Sequence, residues 1–413
     1  MAPNGRYRHW DTLRHLKPPG ELTTEQWWLA IKLARGPLLR ELPLRDRDGR
    51  KFAYCMPDEA LEPLHRVDQR ASGEIRMPAV VLGAEGARGH YLVNSLIEES
   101  IRSSQLEGAS TTRPIAREMI RSGRRPTDRS ERMILNNYHA MEFMRDEAGA
   151  TLTPEIVCEL QRILTEGTLE NPDAAGRLQT TDEERVVMWD AQDGHVIHQP
   201  PPAAELPGRL ELMCHFANGE EAGAGFVHPV ARAILLHFWL AYEHPFEDGN
   251  GRTARALFYW SMRVQGYWLI EYLSISRILR QAPSKYMRSF LYTETDHGDT
   301  TYFILYHLGV LWRAIEEFHT YLARKMEEVR EIEQFIRNSD ELNHRQLALL
   351  GNAVRHPLQR YSFASHARSH NVSAQTARND LLDLEGRELL QRRRSGHRYV
   401  FSAVSDLADR LTR

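Results

Sequence analysis

A chain of 413 residues, 42% apolar and 26% charged, has the length of two or three domains and the composition of an ordinary globular protein. Its net charge of −3 excludes a protein that binds nucleic acid over its whole surface, and no run of about 18 apolar residues is present to cross a membrane. Cys55, Cys158 and Cys214 are too few and too far apart for a disulfide framework or a zinc site. Together with the polar stretch Met1–Trp10, they lead to the expectation of a cytoplasmic protein.

In chain order, Lys17-Pro18-Pro19-Gly20 is a helix-stopping cluster, and Leu22-Thr23-Thr24-Glu25 opens a helix carrying Trp27, Trp28 and Ile31. Arg45–Arg50 reads as a turn between short strand-like pieces. These belong to a small, mostly helical N-terminal layer over residues 1–90. From about Leu92 the pattern turns strongly helical. Ser95–Gln105 forms a helix that Gly108 stops, and Met133–Met144 and Pro154–Leu164 form two more. Between Gly176 and Pro202 the character changes. Val186–Trp189 and His195–His198 flank Asp193-Gly194, which predicts a hairpin over about 185–199. In His228–Glu243 the apolar positions Val230, Ala233, Ile234 and Phe238 share one face of a buried helix with His237, a core histidine. A second helix is expected over about Arg252–Gln265, and a long charged connecting helix over Trp312–Arg337.

The segment between those helices carries the chemistry. It reads His244-Pro245-Phe246-Glu247-Asp248-Gly249-Asn250-Gly251-Arg252-Thr253-Ala254-Arg255. Gly249 and Gly251 permit positive φ and close backbone approach. A glycine-rich loop entering a helix points N–H groups at an anion. Arg252 and Arg255 add forked donors suited to phosphate. Asp248 supplies a hard oxygen ligand for Mg²⁺, and His244 can take a proton near neutral pH. Singly, each feature has an ordinary structural explanation: a helix-end histidine, a tight turn, a solvated basic face. Jointly they point to nucleotidyl or phosphoryl transfer.

The loop also resembles the signature of Fic-domain proteins, His-x-Phe-x-Asp-Gly-Asn-Gly-Arg-x-x-Arg, with every fixed position present. The resemblance extends over roughly residues 90–315. It implies a mainly α protein: a Fic-type helical core with a small β-hairpin flap. It implies ATP and Mg²⁺ as cofactors, and transfer of AMP onto a Tyr, Thr or Ser hydroxyl of a target protein or of the chain itself. By the same resemblance His244 is the general base and Asp248 the Mg²⁺ ligand. Phe246, Gly249, Asn250, Gly251, Arg252 and Arg255 are the nucleotide-binding positions, with Arg255 gripping the γ-phosphate. Ser103-Ser104-Gln105-Leu106-Glu107-Gly108 is similar to the family's inhibitory motif, which implies that Glu107, with Ser103 beside it, pairs with Arg255 and blocks productive ATP binding. The hairpin is the expected flap over the site, able to receive an extended target by strand addition. Gln179 stands where many members of the family have arginine, and Tyr286 is a candidate wall for the adenine.

The same site would also serve removal of AMP or transfer of another phosphate-containing group. Fic proteins commonly pair, so a homodimer is a plausible partner state. Residues 339–413 resemble a C-terminal winged helix-turn-helix that follows the core of residues 91–338. Ser373-x-x-Thr376-x-Arg378 opens its recognition helix, and Arg392–Arg394 with Arg398 lie in its wing. From Glu341 onward twelve Lys/Arg face seven Asp/Glu, a net of +5, leaving −8 on the rest. DNA is therefore an expected partner, although Asp380, Asp383, Glu385 and Glu388 dilute the positive charge. On this reading a ligand-sensing DNA-binding regulator is the alternative to a transferase.

Overall fold

The computed structural model describes residues 5–72, 85–185, 188–189, 196–220, 225–337, 341–355, 359–395, 398–404 and 406–411. The chain divides into two compact units, one of Met1–Gly73 with Ser95–Ile315 and one of Glu74–Asn94 with Glu316–Arg413. Among the described residues no helix is long and apolar enough to cross a membrane.

The first unit begins with α1 (Trp10–Leu13) and α2 (Thr24–Arg35). Thr23 and Gln26 close a reciprocal capping box at the start of α2, so the helix begins where the Thr-Thr-Glu signal places it. Strands β1 (Arg40–Arg45) and β2 (Lys51–Tyr54) pair antiparallel around a turn in which Asp46 accepts from the N–H groups of Asp48 and Arg50. α3 (Asp58–Ala71) follows. This N-terminal region, expected as a layer of its own, is continuous with the core. The Ala53 N–H donates to the Gly298 carbonyl at 3.0 Å, and the Ala53 carbonyl accepts from Thr300 at 2.8 Å. The buried guanidinium of Arg35 reaches the Tyr302 hydroxyl at 2.8 Å.

The helices of the core are α4 (Glu85–Leu106), α5 (Arg113–Ser122), α6 (Arg129–Asp146) and α7 (Pro154–Thr165). Side chains of Asp128 and Thr153 cap α6 and α7, and proline at the first position of α7 is preorganised for its start. Strands β3 (Met188–Trp189) and β4 (Val196–His198) pair antiparallel, Met188 opposite His198, within the expected hairpin. The predicted Asp193-Gly194 turn, and Val186 and Val187, lie outside the described residues. Next come α8 (Leu206–Asn218), α9 (Pro229–Glu243), α10 (Asn250–Val264), α11 (Ile275–Gln281), α12 (Pro283–Thr295) and α13 (Thr301–Arg337). Every residue of α9 from Val230 to Leu240 is buried, not only the predicted apolar face. A helix enclosed on all sides is the centre of the unit. Within it His237 is wholly buried and its Nε2 pairs with the Tyr286 hydroxyl at 2.8 Å.

The second unit contains α14 (His344–Arg355), β5 (Arg360–Tyr361), α15 (Phe363–His370), α16 (Ala374–Gly386), β6 (Leu390–Ser395), β7 (Arg398–Ala403) and α17 (Leu407–Leu411). The strands form an antiparallel sheet in the order β5-β7-β6. Leu350, Leu381, Leu384, Leu390 and Phe401 form its core. Asn371, at φ 50°, ends α15, and Ser373 caps α16, making the tight helix-turn-helix corner. Gly396-His397, at the tip of the expected wing, lie outside the described residues. The four acidic residues that dilute the charge in sequence all have basic partners here. Asp380 is buried against Arg345 at 2.7 Å, while Asp383 pairs with Arg387, Glu385 with Arg392 and Glu388 with Arg410.

Candidate active site

Helix α9 runs into a six-residue turn that feeds α10, and residues with positive φ stand at its two ends. His244 ends α9 at φ 47°, ψ 51°, its N–H donating to the Leu240 carbonyl. Gly249 caps α10 at φ 85°. A Cβ at Gly249 would stand 2.9 Å from Thr165 Cγ2, so both dihedral and space require glycine there. A Cβ at Gly251 would collide with the carboxylate of Glu107.

Two expected nucleotide contacts have other work. The Phe246 side chain is wholly buried, and the Asn250 amide braces the turn. Asn250 Oδ1 accepts from the Phe246 N–H at 3.0 Å, and its Nδ2 donates to the Phe246 carbonyl at 2.8 Å. The side chain of Asn250 therefore shapes the anion cradle instead of projecting into it. Asn250→Ala should lower stability by about 2 kcal/mol or more, because two buried backbone groups lose their partners. Asn250→Asp keeps the acceptor for the Phe246 N–H but sets a second carboxylate oxygen against the buried Phe246 carbonyl, so it should cost no less. Denaturant unfolding of both variants checks the order.

The cationic residues sit deep. Arg252 is wholly buried. It donates to the Leu164 carbonyl at 2.8 Å and to Asp248 Oδ1 at 3.3 Å, while its Nε has no hydrogen-bond partner among the described residues. Arg255, 1% exposed, donates through Nε to Ser103 Oγ at 2.8 Å and through a terminal nitrogen to the Ser103 carbonyl at 3.1 Å. That same nitrogen meets Glu107 Oε1 at 2.7 Å. Burial works against charge on Arg255, but Glu107, Tyr286 and Glu99 together outweigh it and the guanidinium pKa is raised. Glu107 stands one residue beyond α4, on the turn where Gly108 adopts φ 91°.

A cavity of about 370 Å³ opens between these groups, walled by Glu107, His198, His244, Gly251, Arg255 and Tyr286, with Met287 and Phe290 adding apolar surface. That is the size and mixed lining of a small-molecule site. Burial pushes the His244 imidazole down to about 4, with the charge of His198 adding to the effect, so it is neutral at physiological pH. Its Nδ1 is buried without a hydrogen-bond partner among the described residues. Asp248 lies outside the cavity wall. Its Oδ1 accepts from the Gly249 N–H at 2.5 Å, and its Oδ2 meets the Arg129 guanidinium at 3.4 Å. Among the described residues no cluster of three or more His, Cys, Asp or Glu could hold a metal ion. A single carboxylate beside a helix N-terminus instead fits Mg²⁺, which takes the rest of its shell from water and substrate phosphates.

The structure also brings in residues that no sequence motif marks. Gln161 on α7 donates to the Asp248 carbonyl at 3.0 Å and accepts from Gly176 at 2.6 Å. His198, at the end of β4, places one ring nitrogen against Glu294 and the other against the Tyr242 carbonyl, both at 2.8 Å. Arg185 reaches the carbonyls of Glu243 and His244. Each lies 40 or more residues from at least one of these partners, so only folding reveals it.

Residues 151–262 match the family model described as Fic/DOC family. A curated relative from Nematostella vectensis, named protein adenylyltransferase Fic, is 24% identical over 204 residues, covering 48% of this chain and 43% of that protein. The protein of the same name from Aedes aegypti is 42% identical over 76 residues, covering 18% of this chain and 14% of its own length. The chain thus spans less than half the length of these curated relatives. Among solved structures, a Fic family protein from Desulfovibrio desulfuricans G20 superposes with a TM-score of 0.53 at 19% identity, covering 84% of this chain and 94% of that one. The signature turn, the helices that carry it and these matches agree: this chain carries a Fic domain.

Proposed function

We propose that this protein is a nucleotidyltransferase that moves AMP from ATP to a Tyr, Thr or Ser hydroxyl of a target protein, and that Glu107 restrains it. The carrying observation is the ion pair between buried Arg255 and the more exposed Glu107, which faces the same cavity as His244. The target hydroxyl oxygen attacks the α-phosphorus and forms the new O–P bond. The bond from that phosphorus to the β-bridging oxygen breaks, and pyrophosphate leaves. The hydroxyl proton passes to His244 Nε2. Arg252, Arg255 and the backbone N–H groups at the start of α10 hold the phosphates, and Asp248 would hold Mg²⁺, which neutralises phosphate charge when bound. Catalysis of this kind is chiefly positioning and preorganised charge. The edge of the β3–β4 flap receives the target as an added strand, which demands little of its sequence.

The test is labelling by the full chain carrying Glu107→Gly, in a cell lysate with Mg²⁺. Label from α-labelled ATP, and not from γ-labelled ATP, should appear on protein, the chain itself included. Label from the γ position would mean phosphoryl transfer. Loss of pre-existing AMP from proteins would mean that the site works as a remover.

A second reading concerns the C-terminal unit, for which we infer duplex DNA as partner. It is favoured by the pairing of its acidic residues, which leaves Gln375, Arg378 and Asn379 exposed on α16 and Arg393 exposed on β6. Gln375 and Asn379 have side chains suited to adenine edges, and arginine suits guanine. Arg393→Ala should weaken binding to a randomised duplex pool without regard to sequence, and reduce the slope of log affinity against log salt by about 1. Absence of binding at low salt would remove this reading.

A further inference from the structure

The signature accounts for which residues form the catalytic turn, but not for what holds its histidine in an unfavourable backbone conformation. His244 occupies the left-handed region at φ 47°, where residues with a Cβ seldom settle. It also follows the last turn of α9, whose closing carbonyls lack partners within the helix. One side chain meets both needs. Arg185 donates to the Glu243 carbonyl at 2.6 Å and to the His244 carbonyl at 3.1 Å. Its Nε donates to the Pro201 carbonyl at 3.0 Å. Arg185 precedes β3 and Pro201 follows β4, so a single guanidinium ties both feet of the flap to the catalytic turn.

We propose that Arg185 is a positioning residue for the transfer reaction, fixing the His244 peptide and the flap base as one piece. This rests on the adenylyltransferase reading above. The planar fork suits the task, since its donors diverge in fixed directions towards several carbonyls and stay charged when half-buried. A cation at the C-terminal end of α9 also complements the helix dipole.

The neighbouring Gln179 supports the assignment. It stands where an arginine was expected, and its Oε1 lies in hydrogen-bond contact with the Arg185 guanidinium. Its own N–H donates to the Pro245 carbonyl at 2.9 Å. A guanidinium carried at position 179 would therefore start from the same place beside the turn, so Arg185 supplies from six residues later what position 179 lacks.

The charged groups facing His244 are His198, Arg185 and Glu107, with Glu243 next to it paired to Arg209 at 3.1 Å. Arg185 is among those that disfavour the imidazolium, so its removal should move the His244 titration to higher pH.

The experiment uses the full chain in the Glu107→Gly background. Arg185→Ala should lower kcat by about tenfold or more with the ATP KM within about twofold, since a misplacement of about 1 Å can cost ~10²-fold. The His244 ¹³Cε1 resonance, identified by its loss in His244→Asn, should titrate at higher pH. Adding Gln179→Arg should recover most of the lost kcat. The proposal is overturned by an unchanged kcat, by an unmoved titration, or by a deficit that Gln179→Arg leaves whole. A parent that transfers no AMP would sink the adenylyltransferase reading instead, and the histidine titration would still decide the contact between Arg185 and the turn.

Discussion

Replacing Glu107 with glycine should raise AMP transfer by about 10³-fold, the lower end of what one charge-stabilising arginine contributes to phosphoryl chemistry. The expectation follows from how Arg255 is held. Its guanidinium has two further bonds to Ser103, at 2.8 Å and 3.1 Å, so deleting the Glu107 carboxylate frees a donor without releasing the side chain. The deletion also clears space at Gly251, where the carboxylate now lies against the backbone of the anion cradle. A buried cation stripped of its partner is destabilising until another anion arrives, though less so here than in a fully buried pair, because Glu107 is partly exposed and Ser103 still holds Arg255. The polyphosphate of ATP is such an anion. Glu107→Gly should therefore unfold at lower temperature than the parent in buffer and recover more strongly when ATP is added. The decisive control is epistasis. Arg255→Ala alone should give no gain, and combined with Glu107→Gly it should return labelling to the parent level. A Glu107→Gly protein that binds ATP more tightly yet labels no faster would show that the pair is a structural clasp and not a brake.

The signature turn was legible in the sequence because its residues are contiguous, and a contiguous segment between two helices has few ways to arrange its glycines and arginines. The Arg255–Glu107 pair was expected only through the resemblance of Ser103–Gly108 to an inhibitory motif; the helix stop at Gly108 by itself names no partner. The division of labour inside the turn was not legible. Nothing in Gly-Asn-Gly tells whether the amide points at a ligand or back at its own loop, and here it closes on Phe246. Arg185 and Gln161 were invisible for a different reason. Both act on backbone carbonyls, which every residue has, so their targets leave no trace in residue identity. The join between the N-terminal region and the core is of the same kind, a backbone exchange between Ala53 and residues 298–300. Long-range backbone contacts are the part of a fold that local patterning does not encode.

His244→Ala in the Glu107→Gly background should reduce transfer by about 10²–10⁴-fold, the range for loss of a positioned general base. ATP affinity should change little, because in the proposed mechanism the phosphates are held from α10 and not by the imidazole. The pH profile is the sharper test. A base must be deprotonated to act, and an exposed histidine with an ordinary pKa near 6.5 would lose half its activity at about that pH. Burial pushes His244 down to about 4. Its folded pKa is thus depressed, so the neutral form persists as pH falls from 8 through 6, and protonation sets in only as pH approaches 4. The Glu107→Gly enzyme should hold a nearly constant kcat between about pH 5.5 and 8, whereas an acid limb centred near 6.5 would mean that the histidine is solvated when it works. The same burial predicts a directional effect on stability. The unfolded chain binds a proton at His244 below about pH 6.5 that the folded chain refuses, so this residue's contribution is complete above that pH and declines as pH falls towards 4. His307, pushed down to about 3 by burial, and His237, pushed down in the same way, act in the same sense. Replacing His244 with alanine should therefore flatten part of the acid loss of stability in the same protein in which it slows transfer. That pairing separates a buried, neutral base from a histidine that merely caps a helix in contact with solvent.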